Sequence, residues 1–211
     1  TDPNNKKKFA DAKKMREWMP VDLYSGGAEH TTMHLLYSRF FMKVLYDLKL
    51  VDWDEPYTMR KNRGMILGLD GQKMSKSKGN VIDPDEYVKK FGADTLRIYL
   101  MFTGPFSQGG DFRDSGIEGM HRFIKRVWTL VIGKLGNWEI RSKPNNLITQ
   151  QSSSLTMMHK TIKKVTEDIS NLSYNTAIAH LMEYYNFLSD QKSVSREEIE
   201  TFLKLQAPFA P

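Results

Sequence analysis

Leu155, Met158, Ile162, Val165, Ile169 and Leu172 recur at alternating steps of three and four residues. At 3.6 residues per turn they form one apolar stripe on a helix, and such a stripe folds only against neighbours that cover it. The neighbours are nearby in the sequence. Gly116 to Leu135 and Asn175 to Leu188 read as further helices, and Ser195 to Leu205 opens with the capping-box spacing of Ser195 and Glu198. A polar linker, "RSKPNNLITQQSSS", interrupts the series. From about Phe112 onward the chain therefore reads as a small helical bundle.

The first half has a different grammar. Thr1 to Arg16 is polar and lysine-rich and is expected to be an exposed lead-in. "PVDLYSGG" reads as a short strand running into a glycine turn. Met33, Leu36, Tyr37, Phe40, Val44 and Leu48 then follow at helical spacing. "MILGL", after the basic "RKNRG", reads as a second, buried strand. In "DPDEYVKKFGADTLRIYLMF", Asp83 is a candidate N-cap ahead of Pro84, and Gly92 a candidate break between two short helices. Strand, helix, strand, loop and helix suggest part of a parallel α/β sheet. The fold class expected is thus α/β plus all-α.

With 211 residues, 40% of them hydrophobic, there is material for one domain with an adjunct or for two small domains. The absence of cysteine excludes disulfide frameworks and thiolate metal sites. A net charge of +6 favours anionic partners. No apolar run approaches a membrane span and no signal-peptide pattern opens the chain, so no membrane partner and a cytoplasmic location are expected. The start at Thr1 and the run-out in "LKLQAPFAP" give the expectation that both ends are cut.

Two short segments could carry chemistry. In "GGAEHTTMH", Gly26 and Gly27 let a ligand approach the backbone, and the following helix points its positive dipole end at the same place. Glu29 can accept two hydroxyl hydrogen bonds, which suits a ribose. His30 and His34, one turn apart, share a face. Three other readings stay open here: a simple turn, histidines satisfied within a core, or a zinc pair at i and i+4. Zinc lacks an HExxH order, and His121, His159 and His180 all lie in the helical half.

The second segment is "DGQKMSKSKGN", Asp70 to Asn80. A solvated surface turn would use the same residues. Lys73, Lys76 and Lys78 are also compact charges on flexible stems, suited to a phosphate whose charge moves during reaction, with Ser75 and Ser77 as hydroxyl donors. Neither a Walker order nor a GxGxxG fingerprint is present.

"KMSKS", Lys73 to Ser77, matches the signature loop of class I aminoacyl-tRNA synthetases letter for letter. "MPVDLYSGGAEHTTMHLLYSRFF" resembles the matching stretch of leucyl-tRNA synthetases, where GG, EH and HLLY occur in this order. "KSKGNVIDPDEYVKKFGADTLR" and "GIEGMHRFIKRVW" resemble that family's sequence beyond the loop. Isoleucyl and valyl enzymes, and the archaeal and eukaryotic leucyl enzymes, differ at "GGAEH", so the bacterial or organellar type fits better. The resemblance is strong from Glu17 to Trp128 and persists as a helical pattern to Pro211.

The resemblance implies ATP-dependent activation of leucine to leucyl-adenylate and transfer of the leucyl group to tRNA(Leu). It implies the second half of a Rossmann-like nucleotide-binding fold over residues 1–115, carrying the KMSKS loop. A truncated helical anticodon-binding bundle would follow over 116–211. Carried over, Gly26, Gly27 and Glu29 would hold the adenosine, with Lys73, Met74, Ser75, Lys76 and Ser77 completing the ATP and adenylate site. Lys76 would contact the ATP phosphates with Lys73 in support, as the catalytic pair. Tyr24, His30 and His34 would line the leucine pocket. Magnesium would arrive with ATP, and no protein-bound metal is expected. Arg122, Lys125 and Arg126, at i, i+3 and i+4, would offer a tRNA-facing charge; "HRFIKRVWTLVIGKLGNWEIRSK" holds six Lys or Arg and one acid. A solvated basic face is the plain alternative. An HIGH-type motif and a recognisable editing insertion are absent from these residues. The chain is therefore expected to be the middle of a larger enzyme, inactive alone, whose partners include an N-terminal catalytic half and an editing domain.

Overall fold

The computed structural model describes residues 2–135 and 148–211. The chain forms two compact units, Thr1–Met65 and Ile66–Pro211. The core of the second unit runs across residue 115. Leu96, Ile98, Tyr99 and Phe112 share it with Ile117, Met120 and Phe123.

In the first unit the expected lead-in contains a helix. Asp11 caps α1 (Ala12–Trp18) by accepting from the amides of Lys13 and Lys14, and α1 buries none of its residues. Strand β1 (Tyr24–Gly26) pairs in parallel with β2 (Arg60–Asn62), Tyr24 opposite Arg60 and Gly26 opposite Asn62. A single-turn 3-10 helix, Ala28–Thr31, and helix α2 (His34–Asp47) form the crossover. The parallel pairing agrees with the expectation from sequence; the identity of the partner strand does not. β2 lies in the basic stretch before "MILGL", a segment with no β-branched or aromatic side chain to signal it.

Helix α2 forms where the periodicity puts it, yet the stripe does not bury. Leu36 and Phe40 are each 64% exposed, and Met33, Tyr37, Val44 and Leu48 are exposed too, while Leu35 is buried. Arg39 and Lys43 on this helix hold Glu55 at 2.6 Å and 3.1 Å.

In the second unit β3 (Met65–Leu67) pairs with β4 (Gly109–Asp111), not with β1. Against the expectation of a buried strand, Met65 is exposed and Ile66 and Leu67 are only partly covered. Asp83 caps α3 (Pro84–Phe91) through the Asp85 amide, with Pro84 in the first turn. Gly92, at φ 88°, breaks α3 from α4 (Ala93–Phe102) in a conformation that other residues rarely adopt.

The bundle comprises α5 (Asp114–Leu135), α6 (Ile148–Ser170), α7 (Tyr174–Asp190) and α8 (Arg196–Gln206). Val165, Ile178, Leu181, Tyr184, Leu188 and Phe202 are fully buried at its centre. α6 starts seven residues before Leu155, inside the segment expected to be linker; residues 141–147 of that linker lie outside the described residues. The capping box at Ser195 forms as expected, and buried Glu198 also takes a hydrogen bond from Ser154, which fastens α8 to α6. Among the described residues no helix is long and apolar enough to cross a membrane.

Candidate functional site

The first group of candidate residues assembles at the C-terminal end of β1. Gly26 and Gly27 are buried, as close packing at a parallel strand end requires. The Gly26 carbonyl accepts from the Arg63 amide and the Gly27 carbonyl from the His30 amide. Tyr24, facing out of β1, reaches α2: its hydroxyl lies 2.9 Å from His34 Nδ1, and the two rings stack at 5.4 Å. His30 lies beside Gly26, where a Cβ would meet its Cδ2 at 3.6 Å. The buried Nδ1 of His30 has no hydrogen-bond partner among the described residues. The Glu29 carboxylate folds back over Gly27, so that a side chain at 27 would displace it. Tyr24, Gly26, Gly27, Glu29, His30 and His34 are thus brought together around one strand end.

Sequence reasoning passed over three contributors. Tyr57 packs 4.5 Å from Tyr24 and 6.4 Å from His34, and Tyr37 meets His34 edge-on at 5.3 Å. Arg60 clamps the turn, donating to Thr31 Oγ1 at 2.7 Å and to the Gly27 carbonyl at 3.3 Å. Tyr57 had no local signal: it reaches Tyr24 only because Val21 and Tyr57 form a parallel bridge in the folded chain. Arg60 had no local signal, since its partners lie about thirty residues away.

The Tyr24 hydroxyl engages Nδ1 of His34 and leaves its Nε2 as the other ring nitrogen. Among the described residues no three His, Asp or Glu side chains converge on a common point that would hold a metal.

The lysine loop belongs to the second unit. Leu67 and Lys73 form an antiparallel bridge, the Gly68 amide donates to the Gln72 carbonyl, and Lys76–Lys78 make one 3-10 turn ended by Gly79 at φ 67°. Ser75 Oγ and Ser77 Oγ lie 2.8 Å apart, and Met74 and Ser75 are half-buried. Lys78 is spoken for, donating to Gln72 Oε1 at 3.2 Å. Lys73 and Lys76 are exposed, and neither side chain forms a hydrogen bond or ion pair among the described residues. The Gln72 amide, and after it the Asn80 carboxamide, hold the Asp70 carboxyl below its ordinary value. The loop therefore keeps its single acid ionised and internally bonded, while all three cations are exposed and two of them have no partner among the described residues.

On α5, Arg122, Lys125 and Arg126 are exposed, on the side opposite buried Phe123 and Val127. They edge an open depression of about 590 Å3 floored by Met120, Phe123 and Met182. The Arg126 guanidinium sits 5.4 Å over the Tyr185 ring. Trp128, two residues further on, is 69% exposed. The C-terminal part of the basic stretch, from residue 136, lies outside the described residues.

The family of tRNA synthetases class I (I, L, M and V) matches residues 4–111. The chain belongs to that family. Over 210 residues it is 49% identical to a leucine–tRNA ligase of Chlorobium chlorochromatii, a match covering 100% of this chain and 26% of the relative. The chain therefore spans about a quarter of that ligase's length. A class I structure, the Agrobacterium radiobacter K84 agnB2 LeuRS in a ternary complex with tRNA and LeuAMS, superposes with a TM-score of 0.86 at 34% identity. That superposition covers 96% of this chain and 28% of the other. The methionyl-tRNA synthetase of Mycobacterium tuberculosis, bound by methionyl-adenylate, shares the fold at a TM-score of 0.72 and 19% identity, covering 96% of this chain and 45% of that one. The class I fold, mixed α/β followed by helices, is the one expected from the sequence.

Proposed function

We propose that the chain is part of a bacterial-type leucine–tRNA ligase, residues 1–115 forming the second half of a Rossmann-like catalytic domain and 116–211 a helical bundle facing the anticodon stem of tRNA(Leu). The observation that carries this reading is the 49% identity to a leucine–tRNA ligase along the whole chain. The joint presence in one sequence of an intact "KMSKS" and "GGAEH" supports it.

In the first step an oxygen of the leucine carboxylate attacks the α-phosphorus of ATP. A new O–P bond forms, the bond to the bridging oxygen breaks, and pyrophosphate leaves with its electron pair. The carboxylate is already ionised at neutral pH, so no general base is needed. What the protein supplies is orientation and charge. Lys73 and Lys76, uncommitted at rest, are free to follow the triphosphate, with Ser75 and Ser77 as further donors and Met74 packing the loop. Magnesium, carried in with ATP, neutralises part of the phosphate charge. Gly26 and Gly27 let the adenosine lie against the backbone, and Glu29 accepts from its ribose hydroxyls. In the second step a terminal hydroxyl of tRNA(Leu) attacks the leucyl carbonyl and AMP departs.

Tyr24, His30 and His34, with Tyr57 behind them, shape the pocket for the leucine side chain. Shape has to do this work, because one methylene is worth only about 1–3 kcal/mol in such a pocket. Arg122, Lys125 and Arg126 contact tRNA phosphates. The activity belongs to the longer enzyme, with its other catalytic half and editing domain, acting in the cytoplasm; residues 1–211 alone are inactive. The test is pyrophosphate exchange by the full-length enzyme against leucine, isoleucine, valine and methionine. The reading requires leucine to lead the series. A preference for any of the other three would refute it.

A further inference from the structure

The legs of the lysine loop are joined by one carboxamide. Asn80 Oδ1 accepts from the Ser75 amide at 2.8 Å. Asn80 Nδ2 donates to Asp70 Oδ2 at 3.0 Å and to the Lys73 carbonyl at 3.3 Å. Asp70 in turn accepts from the Gln72 amide at 3.0 Å. The chain returns to this point because Gly79, in the left-handed region at φ 67°, reverses it after the Lys76–Lys78 turn. Gly68 lies beneath: a Cβ there would stand 3.0 Å from the Asn80 carbonyl and from Asp70 Oδ1.

Asn80 thus grips positions on both sides of Met74, between the two free lysines. Asparagine is suited to this. It offers an acceptor and a donor from one short side chain. Aspartate would keep the acceptor but set a second carboxylate against Asp70, and alanine would release both legs.

We propose that Asn80 is the positioning residue of the lysine loop, fixing the resting conformation from which Lys73 and Lys76 reach the triphosphate. It acts through the loop and does not touch substrate. The proposal rests on reading this loop as the ATP-phosphate contact. The ties are few, and all but the part-buried Ser75–Asn80 bond are exposed, so they hold a geometry without preventing the loop from moving.

The experiment uses the full-length enzyme with Asn80→Ala, Asn80→Asp and the exchanged pair Asp70→Asn/Asn80→Asp. Hydrogen exchange at the Ser75 amide reads the brace independently of the reaction, and leucine-dependent pyrophosphate exchange reads its consequence. Asn80→Ala should speed exchange at Ser75 roughly tenfold and lower kcat about tenfold, with the KM for ATP changing less. In Asn80→Asp both losses should shrink as pH falls, because one of two adjacent carboxyls takes up a proton and becomes a donor. The exchanged pair moves the carboxamide donor to position 70 and the carboxylate acceptor to position 80, and should recover most of both at neutral pH. An unchanged Ser75 amide in Asn80→Ala, or an exchanged pair no better than Asn80→Asp alone, would overturn the brace. Unaltered kcat in an Asn80→Ala enzyme whose Ser75 amide is exposed would overturn the positioning role. Wild-type enzyme lacking leucine-dependent exchange would instead refute the functional reading.

Discussion

The Tyr24 hydroxyl and Nδ1 of His34 lie 2.9 Å apart, joining the first strand to the first turn of α2. When the hydroxyl donates, His34 keeps its proton on Nε2, so one hydrogen bond sets both ring orientation and tautomer. Tyr24→Phe retains the stacked ring and removes only this bond. In the full-length enzyme it should raise the KM for leucine several-fold, or weaken rejection of isoleucine, at a stability cost of about 1 kcal/mol. Steady-state kinetics with the two amino acids, beside thermal unfolding, checks it. A KM and a selectivity both equal to wild type would remove Tyr24 from the pocket.

Lys73 and Lys76 should differ from the third loop lysine. Lys78 is bonded to Gln72, whereas Lys76 has no partner among the described residues. Lys78→Ala should therefore cost less than about tenfold in pyrophosphate exchange, well below the loss expected for Lys76. Equal losses at the two positions would show that resting bonds do not sort these residues.

How much of this was legible in the sequence depends on how local each signal was. Asp83, Pro84, Gly92 and the Ser195 capping box act within four residues, and each ends or starts a helix where expected. β2 and β4 escaped because Arg60–Asn62 and Gly109–Asp111 carry no strand-forming pattern; they become strands only by pairing with β1 and β3. The α2 stripe does form a helix but not a buried face, since periodicity reports a face without saying what covers it. The loop lysines announced themselves by composition. Asn80 and Tyr57 did not, because their roles arise where the folded chain comes back on itself.

Glu55 supplies a pH test of the first unit. Arg39, which bonds both of its oxygens, and then Lys43 hold its carboxyl down from 4.5 to about 2. A carboxyl lowered in the folded state contributes fully above its unfolded value and loses that contribution as pH falls from about 4.5 towards 2. Its side chain is 39% exposed, so solvent screens the pair and the contribution is at most about 1 kcal/mol. Glu55→Gln should lower stability by that much at neutral pH and by nothing near pH 2. Chemical unfolding of the chain across this range checks both the size and the sign.

On the basic face of α5, removing a phosphate contact should lower the salt dependence of tRNA binding. Arg122→Ala and Lys125→Ala should each reduce the slope of log Kd against log salt by about 0.9 or less. Arg126 is a poorer probe, because its stacking on Tyr185 would be lost as well. Slopes unchanged in both variants would leave this face simply solvated.

If the lysine loop serves leucine activation, Lys76, exposed and without a partner among the described residues, should act on the triphosphate. Leucine-dependent pyrophosphate exchange by the full-length enzyme, wild type against Lys76→Ala, tests it most directly. Lys76→Ala should lower kcat about a hundredfold with a much smaller change in the KM for ATP, the scale of removing one strong electrostatic donor. Exchange that proceeds at the wild-type rate would contradict it and return the loop to an ordinary solvated turn.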